Sequence, residues 1–368
     1  MINRRDFARL AAAAATAVTL PASLLAQATA PPKKIRYAVI GLGRISLQHF
    51  MPGTKMSQYG VIAGLVSGHP DKAHKSAAEY GVPEGNIYTY ETFDSIKNNP
   101  DIDAVYVALP NSMHAEYTIR AAQAGKHVLC EKPMANTPAE CEQMIAACRK
   151  ANRKLMIAYR CQLQATFLQA RAMIKNGVIG KVQAIESTNG FNIAPGEWRS
   201  DAKFAGGGPL MDVGIYSLNG CRFLLGEEPK DISAYMYTDP QDPRFKGVEE
   251  TLGWTMKFPS GVIAICNTTY GANMEGVTRI HGSKGTMEIF GFGYEGIHMT
   301  VTHNLPSGPG RAEETQVDNS KDPAQFAVES DYFSRCILDN KEPGPNGEEG
   351  LRDLQHIGNI YAAARRAA

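Results

Sequence analysis

The sequence predicts a chain in two parts, a doubly wound parallel α/β domain followed by an α+β domain in which strands dominate. Three observations carry this reading. Between residues 35 and 159 short apolar runs alternate regularly with helical patterns. The first of those runs passes directly into Gly41-Leu42-Gly43. From about Lys181 onward, strand follows strand across turn signals. A length of 368 residues exceeds one ordinary core and suits the division.

The α/β part opens with the strand Ile35–Ile40. Further strand runs are expected at Val61–Ser67, Ala104–Leu109, His127–Cys130 and Leu155–Tyr159. Helical patterns cover Pro70–Tyr80, Thr92–Asn98, Ser112–Ala124 and Pro138–Ala151. Short β-branched runs between helices imply right-handed βαβ units on a parallel sheet.

A G-x-G alone is weak evidence, but here Gly41-Leu42-Gly43-Arg44-Ile45-Ser46 follows a strand and precedes a helix, the context that a dinucleotide site requires. Gly41 permits the tight turn. Gly43 lets the backbone approach a pyrophosphate at the helix N-terminus. Ser46 stands where a third glycine is usual and is small enough for close packing. The domain is therefore read as a Rossmann domain, with Gly41, Gly43, Arg44 and Ile45 against the dinucleotide.

The end of the second strand indicates which dinucleotide. NAD sites usually carry an acid there for the ribose hydroxyl. This chain has Val66-Ser67-Gly68-His69-Pro70-Asp71-Lys72, with no acid at the strand terminus. Ser67, the Gly68 backbone and Lys72 suit a 2′-phosphate, while Asp71 falls in the helix start, where an acid complements the dipole. NADP(H) is the expected cofactor.

Residues 1–30 are read apart from the fold. Asn3-Arg4-Arg5-Asp6-Phe7, an Ala-rich apolar stretch and Ala26-Gln27-Ala28-Thr29-Ala30 have the parts of a twin-arginine signal peptide. Thr16, Thr19, Pro21 and Ser23 interrupt the stretch, which is weak for a span of about 20 apolar residues. The expectation is a periplasmic protein exported already folded, with no membrane association after cleavage. A formal charge of +1 without a basic stripe argues against nucleic acid. The seven cysteines include no C-x-x-C pair, and Cys141 and Cys148 are spaced for one buried helix face. No His/Cys/Asp cluster has metal-site spacing, so no metal is expected.

The second part has strand-like runs at Val182–Asn192, Asp231–Thr238, Leu252–Phe258, Val262–Tyr270, Thr278–His281 and Thr286–Phe290. Pro259-Ser260-Gly261 and Gly282-Ser283-Lys284-Gly285 mark hairpins. A helix near Leu210–Leu225 projects Asp212 and Tyr216, four apart, from one face.

Two further motifs carry a resemblance. One is Cys130-Glu131-Lys132-Pro133, preceded by Leu109-Pro110-Asn111-Ser112-Met113-His114. The other is Gly206-Gly207-Gly208-Pro209-Leu210-Met211-Asp212-Val213-Gly214-Ile215-Tyr216. Together they resemble the glucose–fructose oxidoreductase/inositol dehydrogenase (Gfo/Idh/MocA) family over essentially all the mature chain. Within it, the leader, Ser67-Gly68 with Lys72, Glu197-Trp198-Arg199 and Leu225-Gly226-Glu227-Glu228-Pro229 are most similar to periplasmic members that oxidise one sugar while reducing another. The resemblance implies residues 31–159 as the NADP-binding domain. It implies residues 160–368 as an α+β domain whose large, mostly antiparallel open sheet covers the active site and forms a homodimer or homotetramer.

The resemblance also implies a catalytic group. Lys132 belongs beside the nicotinamide, with Pro133 fixing its turn through a possible cis bond. Asp212 orients the substrate. Four residues on, where histidine is common in the family, this chain has Tyr216, assigned as general acid/base. A tyrosine titrates near 10 in water, and an ammonium beside such a hydroxyl lowers that value. Pro110, Asn111, His114 and Glu131 are expected at the cofactor, and Tyr159, Arg160, Glu197, Trp198 and Arg199 around a mono- or oligosaccharide. Outside the cytoplasm a released cofactor would be lost, so a tightly held one must be regenerated in place. The expectation is a ping-pong exchange, aldose to lactone and then a second aldose or ketose to alditol. A glycosidase of the same family and a dehydrogenase with exchangeable cofactor are the alternatives left open.

Overall fold

The computed structural model describes residues 32–290, 292–305, 308, 310–317 and 321–367. The signal-peptide reading of residues 1–30 lies outside the described residues. Six strands, β1 (Ile35–Ile40), β2 (Gly60–Val66), β3 (Ile87–Tyr88), β4 (Ala104–Val107), β5 (His127–Cys130) and β6 (Leu155–Ile157), form a parallel sheet in the order β3-β2-β1-β4-β5-β6. Every residue of β4 is buried, as a strand covered on both faces requires. The chain reverses its direction of growth between β1 and β4. Doubly wound sheets bind ligands in the crevice opened at that point.

The connecting helices follow local chemistry. After the glycine turn, a π-helical turn Ser46–Phe50 runs into α1 (Met51–Met56). α2 (Pro70–Tyr80) starts on proline and ends at Gly81 with φ 68°. α3 (His114–Gln123) follows, and then α4 (Pro138–Lys150), which opens with a capping box between Thr137 and Glu140. Cys141, Met144 and Cys148 form the buried stripe of α4. The helical pattern expected at Thr92–Asn98 is a 3₁₀ helix over Phe93–Asn98, stopped short of Pro100. The two-residue β3 is too short to leave a period in the sequence.

After α5 (Ala165–Lys175), β7 (Val182–Gly190) begins the second sheet. α6 (Ala202–Ala205) and α7 (Ile215–Leu225) come next. β8 (Asp231–Tyr237), β9 (Thr251–Lys257), β10 (Ile263–Thr269), β11 (Met274–Gly282), β12 (Gly285–Phe290), β13 (His298–Asn304) and β14 (Arg311–Val317) complete the sheet, in the order β14-β13-β12-β11-β7-β10-β9-β8. All pairings are antiparallel except β7 with β10. Leu252, Trp254, Met256, Ala264 and Cys266 turn inward and are buried. Tyr235, Tyr237, Ile263 and Ile265 stand exposed on the other face.

Two final helices, α8 (Ala324–Leu338) and α9 (Gly347–Ala367), follow the sheet. α8 returns to the first domain. The Tyr37 hydroxyl sits 2.8 Å from Ser334 Oγ, and Phe326 and Phe333 share a buried cluster with Tyr37, Phe50, Met51 and Leu65. α9 is tied to α7 by the buried Arg222, which pairs with Asp353, with Glu349 at 3.2 Å and with Glu228 at 2.6 Å.

Candidate active site

The glycine loop is shaped for close approach. Gly41 has φ 88°, and a Cβ there would strike the Ala108 carbonyl. A Cβ at Gly43 would meet nothing within 4 Å among the described residues, so a ligand has room against the backbone. Buried Ser46 donates from its hydroxyl to the Gly41 carbonyl at 2.6 Å and closes the turn. That gives the serine a purpose beyond being small. Ile45 lines the start of the same helix and is half-buried. These features fit a dinucleotide.

At the end of β2, Ser67 is buried and its Oγ accepts from the His69 amide at 3.0 Å. Its hydroxyl shapes the turn, while the Gly68 backbone and the Lys72 side chain are exposed at the start of α2. One other cofactor expectation, at His114, is corrected. Both His114 nitrogens sit against main-chain carbonyls, Pro133 at 2.9 Å and Leu109 at 2.8 Å, and the ring is buried. It staples two loops and presents no nitrogen to a nicotinamide. The Asn111 amide, next to Pro110, donates to the Ala205 carbonyl at 2.9 Å and so grips α6. Glu131 turns inward, accepting from the Tyr106 hydroxyl at 2.6 Å and from the Lys132 amide at 3.2 Å.

Lys132, Asp212 and Tyr216 come together at the C-terminal edge of the parallel sheet. Lys132 leaves β5 one residue beyond Glu131, and the peptide bond to Pro133 is cis. Its Nζ donates to the Asp212 carbonyl at 2.7 Å and to Asp212 Oδ1 at 3.2 Å. The same Nζ lies over the face of the Tyr216 ring, 4.7 Å from its centroid. Asp212 sits in the π-helical turn Leu210–Gly214 that leads into α7. Its Oδ2 accepts from the Tyr270 hydroxyl at 2.7 Å and lies 3.4 Å from Arg199 Nε.

Charges in this cluster are mutually supporting. Burial pushes the Asp212 carboxyl up, but Lys132 and Arg199 outweigh it and hold the group below the usual carboxylate range. Burial also disfavours the Lys132 ammonium, yet Tyr216, Asp212 and Glu131 around it raise its pKa and keep it charged. Arg199 continues the pattern, 3.6 Å from Glu197, with its guanidinium over the Trp198 ring at 4.6 Å.

Of the weaker sugar candidates, Arg160 is placed beneath the cluster. Its buried guanidinium binds the Phe292 carbonyl at 2.6 Å and the Gln325 side chain, and interacts with Tyr216. Tyr159 is buried with its hydroxyl toward Asp353 of the Arg222 network, and its side chain lines a cavity together with Tyr216. Sequence reasoning missed Tyr270 and Tyr294. Tyr270 closes a strand and read as core. Tyr294 lies in a loop without period, stacked on His49 at 4.1 Å and close to Tyr216, Arg160 and Lys132.

An ammonium, a carboxylate and a phenol thus converge at the crevice below the glycine loop. Such a set has the chemistry to exchange a proton with a hydroxyl group and to hold hydroxyls beside it. Comparison with known proteins agrees with the architecture. Residues 35–159 match the GFO/IDH/MocA oxidoreductase family with its NAD-binding Rossmann fold, and residues 167–288 match the GFO/IDH/MocA C-terminal domain. The structure of aldose–aldose oxidoreductase from Caulobacter crescentus, complexed with glycerol, superposes with a TM-score of 0.86 at 45% identity. The superposition covers 91% of this chain and 99% of that one. D-xylose 1-dehydrogenase [NADP(+)] of Haloarcula marismortui is 30% identical over 91% of this chain and 92% of its own. The 1,5-anhydro-D-fructose reductase of Ensifer adhaerens is 28% identical over 87% and 93%.

Proposed function

This chain belongs to the Gfo/Idh/MocA oxidoreductase family and is an NAD(P)-dependent sugar oxidoreductase. From that premise we propose a periplasmic enzyme that holds NADP(H) tightly, oxidises an aldose to its lactone and reduces a second aldose or ketose to an alditol in ping-pong order. The observation that carries the reading is the convergence of Lys132, Asp212 and Tyr216 at the mouth of the dinucleotide crevice.

When bound, the nicotinamide supplies the acceptance and return of a hydride. The chain's own residues handle the rest. Tyr216 takes the proton of the C1 hydroxyl on its phenolate oxygen as the aldose is oxidised, and the phenol so formed returns that proton to the carbonyl oxygen of the second sugar. Lys132, held on the ring face by both Asp212 contacts, stabilises negative charge on that oxygen and donates to it. Asp212 and Arg199 orient the adjoining hydroxyls. The name of the haloarchaeal relative and the strand end without an acid support NADP. The leader sequence supports export, and export in turn supports a cofactor that never leaves. Tyr235, Tyr237, Ile263 and Ile265, exposed on the outer sheet face, support a second copy there, giving a homodimer or homotetramer.

The test is the absorbance and fluorescence of the purified protein before and after an aldose is added, with no cofactor supplied. A reduced-nicotinamide band that a second sugar erases is the expected result. Protein without bound nucleotide, active only when NADP is added, would leave an ordinary sugar dehydrogenase.

A further inference from the structure

Between β7 and α7 the chain makes a strap, residues 191–205, that leaves the second sheet and reaches the first domain. Its base is fixed. Phe191 and Ile193 donate from their amides to the carbonyls of Thr269 and Tyr270 at 3.0 and 2.9 Å. Arg244 donates to Asn192 Oδ1 at 2.6 Å and to the Ile193 carbonyl at 2.9 Å. Its far end is held by the Asn111 amide on the Ala205 carbonyl. Between these anchors Glu197 meets Arg44, Oε1 to Nη2 at 3.2 Å. Arg44 directly follows Gly43, so the strap touches the phosphate loop at its mouth.

Glu197 has a second cation on its other oxygen, Arg199 Nη1 at 3.6 Å. Arg199 Nε lies 3.4 Å from Asp212, and Asp212 holds Lys132. Five alternating charges, Arg44, Glu197, Arg199, Asp212 and Lys132, therefore run unbroken from the phosphate loop to the proton-handling pair. We propose that Glu197 is a positioning residue that fastens this strap over the bound dinucleotide through Arg44 and ties nucleotide retention to the sugar site through Arg199.

An exposed ion pair adds only about 0–1 kcal/mol to folding, so the Arg44–Glu197 link is not a fold-stabilising device. Its use is local. A guanidinium carries five N–H donors in a planar fork, enough to serve a phosphate and Glu197 together. Phosphate charge beside Arg44 and the carboxylate behind it then hold the cation between them and keep the strap down.

The inference rests on the reading that NADP occupies this crevice. The experiment compares release of NADPH from wild type, Glu197→Gln, Glu197→Asp, Arg44→Gln and the double Gln variant, by loss of nicotinamide fluorescence after dilution into excess NADP. Release should quicken about tenfold in Glu197→Gln, partial rescue should appear in Glu197→Asp, and the double variant should match the worse single one. Melting temperatures should stay within a few degrees, since the two ion pairs lost, to Arg44 and to Arg199, are both solvent-reached and each adds little to folding. A wild-type release rate in Glu197→Gln, or independent addition of the two single effects, would overturn the latch. A wild type that loses nucleotide at once removes the retention reading alone. The dissociation constant of added NADP then carries the test: about tenfold weaker binding in Glu197→Gln supports the latch, and unchanged binding overturns it.

Discussion

Asp212→Asn removes one charge and almost no volume, and its effect follows from the three groups around that carboxylate. Oδ1 faces Lys132 Nζ at 3.2 Å, and Oδ2 faces the Tyr270 hydroxyl at 2.7 Å and Arg199 at 3.4 Å. An amide can point its oxygen at Lys132 only by aiming its NH₂ at Arg199, donor against donor. Both members of the Lys132–Asp212 pair are less than one-fifth exposed, 12% and 18%. Stripping one partner from a buried pair costs roughly 3–5 kcal/mol, and losing a preorganised charge at a reacting oxygen slows chemistry by about 10²–10³. Asp212 also raises the Lys132 pKa, so its loss moves the basic limb of the rate profile to lower pH. Stopped-flow formation of reduced nicotinamide in a single sugar turnover, across pH, measures both effects. A rate within threefold of wild type, with an unmoved basic limb, would refute an electrostatic role for Asp212.

Three further outcomes are expected. Tyr216→Phe keeps the fold, and its Lys132–ring contact, while slowing both sugar half-reactions by about 10²–10⁴, read by the same stopped-flow assay. Gly41→Ala places a side chain at φ 88° against the Ala108 carbonyl, and should weaken NADP binding at least about tenfold by fluorescence titration. Glu329→Gln concerns stability. The Glu329 side chain is fully buried, neither carboxyl oxygen finds a partner among the described residues, and burial with Glu131 nearby pushes its pKa up to about 8. Its folded pKa is raised, so the stability of the wild type is complete below the unfolded carboxyl value near 4.5 and falls as pH rises through about 8. The glutamine variant should gain on the order of 2–4 kcal/mol over wild type at pH 8 and almost nothing at pH 4, measured by denaturant melts.

The first domain was legible because its signals are local. A strand running into Gly41-Leu42-Gly43, helix caps at Thr137 and Gly81, and all-buried strands leave marks within a few residues of themselves. β13 and β14 left fainter marks, since His298–Asn304 and Arg311–Val317 are largely polar and take their place by pairing, β13 with β12 and β14 with β13. The site divides the same way. Lys132, Asp212 and Tyr216 sit in motifs, and the structure brings them together. Tyr270 and Tyr294 reach that cluster from a strand end and an aperiodic loop, through tertiary packing alone. His114 lies in the right motif, but both of its ring nitrogens are taken up by the Pro133 and Leu109 carbonyls, and Asn111 beside it spends its NH₂ on the Ala205 carbonyl. Sequence pattern locates a residue in the fold far better than it says which way the side chain will be spent.

The seat of α8 bears on how such a chain is made. Gly53 and Gly60, near the start of the chain, lack side chains where α8 lies: a Cβ on Gly53 would come within 2.7 Å of the Phe326 Cβ, and one on Gly60 would meet Ser330 Oγ. Synthesis delivers those glycines some 270 residues before the helix that fills their hollow. Until α8 emerges, Tyr37, Phe50 and Leu65 lack the cover that Phe326 and Phe333 provide. The nucleotide-binding half is thus no freestanding cassette. Its completion waits for α8, and a chain terminated before that helix, however intact its glycine motif, would present an apolar surface to the proteases and chaperones that sort unfinished products.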